Sequence, residues 1–324
     1  MKLSIVIITW NDMKVLPACL ASIKEQTRRT EYEIVISDNG SNDGCVEFVR
    51  ANYPQATIVE NKANLGYARG NNTGIACARG DYILILNPDT TLHEGALDKW
   101  LDFADRHPEG GAFGCKVLNP DGTLQDPARP FPTNWLYFQM ALWLRGNRYA
   151  FWRGNSERAI DWQSGCAILF RGDLLKRLGG FDPRFFYHFE EVDLCYRVWR
   201  AGGRILYTPD AVITHLGGQS VGRFPIKFEI EKYRNRYRYF HKHFGLRGAK
   251  RCRWISLLHL RLRRWGYGLI GLVKKGEVMK NRLEMLRVVG QWNKQLDVAR
   301  FIQSGAEPDL GYPPLMPAPK VAAA

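Results

Sequence analysis

Two side chains of different chemistry, Asp89 and His215, each end an apolar run in this chain. Asp89 closes the stretch LILNPD, in which a predicted strand runs into Asn87 and Pro88, and His215 follows the run AVIT. A carboxylate and an imidazole together can hold a divalent cation, and carboxylate-plus-water sites suit Mg²⁺ or Mn²⁺. Such a cation usually neutralises a phosphate-bearing group. Considered alone, Asp89 is as typical of a turn as of a metal site, and His215 is as typical of a packed strand end.

A second acidic group, EEVD, follows the aromatic stretch FFYHF. In a helix Glu190 and Asp193 share one face, while Glu191 points about 100° away. Asp193 has a purely structural explanation, because it can pair with Arg197 one turn later and complement the helix dipole. For Glu190 and Glu191 the adjacent aromatics favour a partly apolar cleft, in which a carboxylate can act as a general base.

Short apolar runs alternate with helical patterns in the N-terminal part, and these elements must position the polar groups. Strands are predicted at Leu3–Thr9, Tyr32–Ser37, Thr57–Glu60 and Tyr82–Leu86. Helices are predicted at Val15–Gln26, Gly44–Asn52, Tyr67–Ala78 and Glu94–Arg106. This order predicts an α/β fold with a mostly parallel sheet and helices on both faces. Ligands bind beyond the carboxyl ends of such strands, where Thr9, Asn11, Asp38, Asn87 and Asp89 stand.

The following segment continues the alternation less regularly. Residues 119–155 are rich in Pro, Gly and aromatic residues, which predicts a loop and a short helix that serve as core, lid or acceptor groove. Strands are then predicted at Ala167–Phe170, Arg204–Tyr207 and Ala211–Thr214, and helices at Gly172–Leu178 and Glu190–Ala201. The Pro-rich tail after Ser304 is predicted to be disordered.

Charge is concentrated in the C-terminal part. Residues 225–300 contain 20 Lys and Arg against 5 Asp and Glu, so the rest of the chain is close to neutral. This imbalance suggests a membrane surface or a nucleic acid as partner. The residues at 254–275 are apolar but interrupted by Arg261, Arg263 and Arg264, which predicts no membrane-spanning helix. Seven scattered cysteines without a CxxC pair fit reduced thiols in the cytoplasm.

Six ordered stretches, taken together, resemble a known family. These are SIVIITWN, ISDNGSNDG, NLGYARGNN, LNPDT, GGFDPRFFYHFEEVDLCYRVWRAGGRI and THLGGQS. They look like the family 2 inverting glycosyltransferases with the GT-A fold, most similar to the bacterial rhamnosyltransferase-like branch of polysaccharide assembly. The resemblance covers about residues 1–245. It implies a GT-A catalytic domain at 1–225 (nucleotide-sugar half to about 115, acceptor half from 116). The charge and helical pattern predict a basic amphipathic helical region at 226–304, and the prolines predict a disordered tail at 305–324.

The resemblance also implies a role for individual residues. Asp89 and His215 match the metal ligands for Mg²⁺ or Mn²⁺, with Asn87 where the family more often has Asp. Glu191 stands where the family has its catalytic base, usually Asp, so the base is Glu191 or the neighbourhood of Glu190 and Glu191. The remaining matches would bind the nucleotide-sugar donor: Thr9, Asn11, Asp38, Gly66, Asn71, Asn87, Trp162 and Gly165.

As a member of this family the protein would be a hexosyltransferase that inverts the anomeric centre. The donor would be dTDP-rhamnose, with UDP- and GDP-sugars open, and the acceptor a glycan or polyprenyl-linked glycan. Residues 250–275 would lie on the inner face of the cytoplasmic membrane, because helices with Trp and Leu beside Arg bind at the interface; a solvated helical subdomain is the alternative.

Two other functions are compatible with parts of the sequence. The departures at Asn87 and Glu191 allow a nucleotide-sugar-binding protein without catalysis. The basic segment with aromatics allows a nucleic-acid-binding protein, but that function leaves six ordered motifs in the neutral part unexplained. We therefore expect an enzyme without a nucleic-acid partner.

Overall fold

The computed structural model describes residues 1–125, 128–144, 154–217, 225–273 and 276–305. The chain forms two compact units. The first comprises the described residues within Met1–Phe131, Phe151–Phe186 and Glu190–Gln219. The second comprises those within Pro132–Ala150, Tyr187–Phe189 and Ser220–Ala324. The prediction that the tail from 305 is disordered concerns residues that, after Gly305, lie outside the described ones.

The described strands of the first unit form one mixed sheet. They are β1 Leu3–Thr9, β2 Tyr32–Asp38, β3 Thr57–Glu60, β4 Tyr82–Leu86, β5 Thr90–Leu92, β6 Gly110–Leu118, β7 Arg158–Ile160, β8 Ala167–Arg171 and β9 Arg204–His215. Their order is β3-β2-β1-β4-β8-β6-β9-β5, and β7 pairs with β9. The first four strands are parallel, whereas β8 runs antiparallel to both β4 and β6.

Helices cover both faces of this sheet. They are α1 Leu16–Gln26, α2 Cys45–Asn52, α3 Gly66–Cys77, α4 Ala96–Arg106, α6 Gly172–Arg177 and α7 Glu190–Arg200, while α5 Asn134–Ala141 belongs to the second unit. Alternate residues of a strand point to opposite faces. Ile5 joins the core that contains Leu20 of α1 and Trp100 of α4. Val6 faces α3 so closely that a Cβ on Gly74 would lie 2.5 Å from Val6 Cγ1. The predicted α/β class is confirmed.

One part of the sequence prediction was wrong. The two strands expected on either side of Thr208-Pro209-Asp210 are a single strand, β9. Its register with β6 shifts between the pairs Cys115–Thr208 and Lys116–Val212, which marks a bulge. A bulge accommodates the proline, because it removes the need for a ladder hydrogen bond from that residue. The strand therefore continues to His215 instead of restarting after a turn.

The second unit is helical and contains α5, α8 Pro225–Val273, α9 Glu277–Gln295 and α10 Val298–Ser304. Gly245 interrupts α8 with a φ of 68°. Arg236 hydrogen-bonds Ser256 across this break, although 20 residues of straight helix would separate them by about 30 Å. The chain therefore reverses at Gly245, and α8 forms two antiparallel segments. None of the described helices offers a stretch long and apolar enough to cross a membrane.

One largely buried arginine, Arg197, connects α7 to the segment that precedes it. Arg197 Nε donates to Asp193 Oδ2 at 2.8 Å, which confirms the ion pair predicted for Asp193. The other guanidinium nitrogens of Arg197 donate to the carbonyl oxygens of Leu178 at 2.8 Å and Gly180 at 2.6 Å. Because Asp193 is fully buried, the loss of this charged partner would be costly. The clamp sets the position of the helix that carries Glu190 and Glu191.

Replacing Arg197 by Met should lower the free energy of unfolding by about 2–4 kcal/mol, because the buried Asp193 loses a charged hydrogen-bond partner. Chemical denaturation monitored by circular dichroism measures the change. Arg200→Met, an exposed position on the same helix, is the matched control and should change the stability by less than about 0.5 kcal/mol. Equal losses in the two variants would contradict the clamp.

Candidate active site

The carboxyl ends of β1 and β2 meet in one hydrogen-bonded edge. Thr9 pairs with Asp38 in register, and the backbone N–H of Asn39 donates to Thr9 O at 2.8 Å. Asn11 has a φ of 57° and accepts the backbone N–H of Asn42 at 2.8 Å on Oδ1. Parallel pairing and this side-chain bridge thus place Thr9, Asn11 and Asp38 together, as the strand-end prediction required.

Asp38 is buried at this edge and closes the loop that follows β2. Its Oδ2 accepts the backbone N–H of Gly40 at 2.9 Å and of Ser41 at 3.1 Å. A carboxylate held by backbone donors keeps its orientation and presents its remaining lone pairs in a fixed direction. This geometry suits recognition of a hydroxyl or an N–H group of a ligand.

The helix α3 begins beside this edge with a glycine that no larger residue can replace without strain. Gly66 has a φ of 77°, and a Cβ there would lie 2.6 Å from the ring of Phe186. The backbone N–H of Tyr67 donates to Phe186 O at 2.9 Å. Asn71, fully buried one turn later, donates to Tyr67 O, while its Oδ1 has no hydrogen-bond partner among the described residues. A buried acceptor without a donor is a position where a ligand N–H or O–H can bind.

Asp89 and His215 meet because β5 pairs with β9. Thr90 lies opposite His215 in this antiparallel register, so the preceding residue reaches the end of β9. The Nε2 atom of His215 lies 3.2 Å from Asp89 Oδ1, and both side chains are close to nine-tenths buried. The second carboxylate oxygen of Asp89 accepts the backbone N–H of Gly217 at 3.1 Å. The two residues that the sequence predicted to form one site are therefore in contact.

The electrostatics of this pair suit a cation. Burial opposes a charged imidazole, but hydrogen bonds to Asp89 and Cys166 and the Asp89 charge outweigh it and raise the pKa of His215 to about 10. The Asp89 carboxylate therefore favours positive charge at the imidazole nitrogen that faces it.

Asn87 stands two residues before Asp89, in the segment that connects β4 to β5. Its side-chain Oδ1 is buried and has no hydrogen-bond partner within the described residues. Carboxylate, imidazole and amide oxygen fit Mg²⁺ or Mn²⁺, with the remaining positions left to water or ligand oxygens. No group of three or more His, Cys, Asp or Glu side chains converges on such a site in the described part of the chain. The donor set thus fits a divalent cation that a phosphate-bearing ligand helps to hold.

Glu191 lies next to the same site through the turn that enters β8. A Cβ on Gly165 would lie 3.4 Å from Glu191 Cβ, and the Tyr67 hydroxyl donates to Gly165 O at 2.6 Å. The next residue, Cys166, accepts the backbone N–H of Asn87 at 2.8 Å. Two adjacent residues of one turn therefore contact the segment of Asp89 on one side and the predicted base on the other.

Glu190 and Glu191 are both buried in the first turn of α7, as the aromatic context predicted. The two preceding residues, His188 and Phe189, have φ angles of 68° and 74°. Consecutive left-handed residues other than glycine are costly and persist where the surrounding structure imposes them. They turn the chain sharply into α7, whose N-terminal turn carries the glutamates.

Trp162 lies on the segment that leads to Gly165. Its indole Nε1 donates to Pro130 O at 2.9 Å, and the guanidinium of Arg129 lies 5.4 Å from the centre of its ring. These contacts connect the loop before α5 to the strand-end segment. Its proposed role as a wall of the sugar site stays a prediction.

The match to a known family decides which class of protein has this fold and site. The sequence model of the family described as glycosyl transferase family 2 matches residues 4–177, more than half of the chain. The chain belongs to glycosyl transferase family 2. The protein is therefore a glycosyltransferase, as its sequence motifs predicted.

Two curated relatives of this family 2 chain are rhamnosyltransferases by name. The N-acetylglucosaminyl-diphospho-decaprenol L-rhamnosyltransferase of Mycobacterium tuberculosis is 31% identical over 263 residues, which cover 72% of this chain and 82% of that protein. The rhamnosyltransferase WbbL of Escherichia coli is 26% identical over 192 residues, covering 55% and 70% of the respective chains.

A solved structure shows the fold. The mannosyltransferase PcManGT from Pyrobaculum calidifontis, determined in complex with GDP-Man and Mn²⁺, has a TM-score of 0.60 at 19% identity and covers 94% of this chain and 88% of its own. The similarity confirms the predicted GT-A architecture.

Sequence reasoning missed one residue that orients the family 2 site. Gln125 Oε1 lies 2.7 Å from Nδ1 of His215, and its Nε2 donates to Asn119 Oδ1 at 2.8 Å. Because the amide oxygen can only accept, Nδ1 carries a hydrogen and Nε2 is the atom that faces Asp89. Such outer contacts fix the tautomer and the ring orientation of metal-binding histidines. A glutamine in an irregular segment 90 residues before its histidine gives no sequence signal.

Gly66→Ala should destabilise the protein more than Gly122→Ala. Both glycines have similar positive φ angles, 77° and 80°, but a Cβ on Gly122 would meet nothing within 4 Å. Each substitution incurs about 1–2 kcal/mol for the left-handed backbone. Gly66→Ala adds the clash with Phe186, about 1–3 kcal/mol more. Thermal unfolding of both variants measures the difference, and equal shifts would contradict the close packing of α3.

Proposed function

We propose that this glycosyltransferase moves a sugar from a nucleotide-sugar donor to a glycan or lipid-linked acceptor, with a divalent metal and inversion at the anomeric carbon, in bacterial cell-surface polysaccharide biosynthesis. The supporting observation is that one turn, Gly165-Cys166, contacts both the segment of Asp89 and the side chain of Glu191. A single displacement needs a leaving-group site and a base within reach of one reacting carbon. L-Rhamnose from dTDP-rhamnose is the proposed donor, in line with the names of the two relatives.

The donor would lie along the carboxyl edge of the parallel strands. Asp38 and Thr9, on paired strand ends, would contact the base and ribose, with Asn11 beside them. The buried Asn71 Oδ1 offers an unused acceptor, and Gly66 lets the start of α3 approach closely. Gly165 and Trp162 would border the sugar. Each role rests on position and on the free acceptor atoms.

Asp89 and His215 would hold the divalent cation, with Asn87 Oδ1 nearby. A Mg²⁺ or Mn²⁺ ion bound there would neutralise the charge that grows on the departing diphosphate. Gln125 keeps Nε2 of His215 directed at this position. The solved PcManGT complex, which contains Mn²⁺, is consistent with a metal in this fold.

Glu191 is proposed as the base. One of its carboxylate oxygens would take the proton of the acceptor hydroxyl as that oxygen forms its bond to the anomeric carbon. The bond from that carbon to the diphosphate breaks in the same step, and the nucleoside diphosphate leaves with the electron pair. Attack from the face opposite the leaving group inverts the configuration. Glu190, buried beside Glu191, is the alternative base.

The acceptor is proposed to be met at the inner face of the cytoplasmic membrane through residues 250–275. Within this segment Trp254, Trp265, Leu269 and Ile270 are exposed, and so are Arg261 and Arg264. Interfacial helices combine such apolar side chains with cations that attract anionic lipids. The M. tuberculosis relative is named for a decaprenol-linked substrate, which supports a lipid-linked acceptor.

Release of nucleoside diphosphate from dTDP-, UDP- and GDP-sugars, measured with a bacterial lipid-linked glycan extract, tests the proposal. We expect release from one donor in the presence of Mn²⁺ and its loss with EDTA. Asp89→Asn should reduce turnover about a hundredfold or more, because a neutral amide cannot replace the carboxylate beside the cation.

Asp81→Asn is the matched control, an exposed aspartate before the opposite end of β4. It should retain full turnover. Unchanged turnover in Asp89→Asn, or release that persists in EDTA, would contradict the metal role. If the protein binds nucleotide but releases no nucleoside diphosphate with any combination of donor and acceptor, a binding protein without catalysis is favoured.

Glu191→Gln should lower turnover by about 10²–10⁴-fold, because glutamine cannot accept the acceptor proton. Donor affinity, measured by calorimetry, should stay within about twofold, since the base does not hold the nucleotide. Glu190→Gln is the paired variant. If it loses more activity than Glu191→Gln, the base is Glu190.

A further inference from the structure

One arginine of the helical unit is buried and forms no ion pair with a carboxylate of the described residues. Arg236, in the first segment of α8, is 8% exposed. Its guanidinium carbon lies 4.4 Å from the centre of the Tyr137 ring of α5 and 4.5 Å from that of Tyr233. The cation is therefore enclosed between two aromatic rings inside the unit.

Tyr137 and Tyr233 hydrogen-bond Arg236 in addition to packing their rings on it, but not all five of its N–H donors are used. Nη1 donates to Ser256 Oγ at 3.4 Å, and Nε has no hydrogen-bond partner among the described residues. The nearby buried carboxylate of Glu231 is engaged by Arg234 and Arg238 instead. No described carboxylate forms an ion pair with Arg236.

The other groups around Arg236 stay neutral. Burial raises the pKa of Tyr137 to about 12, and burial likewise raises the pKa of Cys252 to about 12. Neither a tyrosinate nor a thiolate therefore balances the guanidinium at neutral pH. Aromatic faces attract a cation, but they offset only part of the cost of removing it from water.

Further cations lie close to the same position. Burial, and then the positive charges of Arg263, Arg236 and Lys232, lower the pKa of His259 to about 4. Its buried Nε2 has no hydrogen-bond partner in the described ranges. The carboxylate of Glu229 lies 3.7 Å from Lys232. The seam between the two segments of α8 thus has a positive excess and unused hydrogen-bonding atoms.

We infer that the seam around Arg236, His259 and Arg263 is a binding site for the phosphate group of a lipid. A guanidinium edge presents parallel N–H donors that match phosphate oxygens, and an anion would supply the charge that the protein does not. The inference rests on the proposed membrane role of residues 250–275 for the source of the phosphate, but not on the proposed catalytic step.

The surroundings of the seam favour a lipid source. Trp143, which is 60% exposed, lies beside Gly266, since a Cβ on that glycine would be 3.9 Å from the indole. Trp265 and Leu269 are exposed on the neighbouring turns. Aromatic and aliphatic side chains of this kind enter the lipid interface, and a headgroup phosphate would then lie at the level of the cations.

Vesicle flotation of the full chain tests the site with phosphatidylcholine vesicles that contain or lack phosphatidic acid, in EDTA. The preference for phosphatidic acid should fall about tenfold or more in Arg236→Met, because a charge-assisted phosphate contact is lost. Arg236→Lys keeps the charge but lacks the parallel N–H donors of the guanidinium, so its preference for phosphatidic acid should fall severalfold. Arg251, an exposed position on α8, provides the matched controls: Arg251→Met should lower the preference by no more than about fivefold, and Arg251→Lys, which keeps the charge, should leave it unchanged.

Protection by inorganic pyrophosphate against thermal unfolding, also in EDTA, separates the two phosphate sources. Suppose that pyrophosphate raises the unfolding temperature of the wild type but not of Arg236→Lys, while vesicle binding does not depend on Arg236. That result would support the anion site and assign it to free phosphate. Arg236→Lys keeps the comparison valid if Arg236→Met does not fold. Equal vesicle binding and equal protection in the wild type and all variants would overturn the site.

Donor turnover distinguishes this inference from the proposed function. Asp89→Asn should lose turnover and keep the phosphatidic acid preference, whereas Arg236→Lys should bind the nucleotide sugar normally. A protein that shows no transferase activity but retains the Arg236-dependent preference would contradict the catalytic proposal alone.

Discussion

A carboxylate at the end of a buried strand needs a compensating partner, and the contact between Asp89 and His215 provides it. The contact exists only because three residues, Asn87–Asp89, connect β4 to β5, which are not neighbours in the sheet. β5 then pairs with β9 and brings His215 to the carboxylate. The mixed order of strands after β4 is thus the means by which one polar pair is assembled from distant parts of the chain.

The site also requires a second carboxylate, that of Glu191. The position of this carboxylate depends on the ion pair between Asp193 and Arg197. Asp193 and Arg197 neutralise each other inside the first unit, and Arg197 also binds two carbonyl oxygens before α7. These contacts of Arg197 do not involve Glu190 or Glu191, the other acids of the first turn. Burial of Glu191 beside Gly165 follows from the fixed helix and from a glycine that leaves room for it.

The sequence predicted the parallel half of the sheet almost to the residue, because its strands are apolar runs that end in Asp, Asn or Thr. It did not indicate β6, Gly110–Leu118, whose glycines and single lysine resemble no alternating strand. It split β9 at Pro209, since a proline in a strand is tolerated only through a bulge that tertiary pairing creates. It identified Asp89 and His215 but not Gln125, because hydrogen bonding to an imidazole leaves no periodicity in the sequence.

The excess of basic residues in the C-terminal part was the least informative feature of the sequence, as the contacts within the helical unit show. A composition treats all basic residues alike, whereas the fold assigns them to different partners. Several are engaged inside the unit, by carboxylates, by carbonyl oxygens or by aromatic rings: Arg234, Arg238, Arg253, Arg287 and Arg236. The surface charge available to a membrane is therefore smaller than the sum suggests. The exposed Arg261 and Arg264 lie near the exposed Trp265 in sequence. The surface charge available to a membrane is thus concentrated in the second segment of α8.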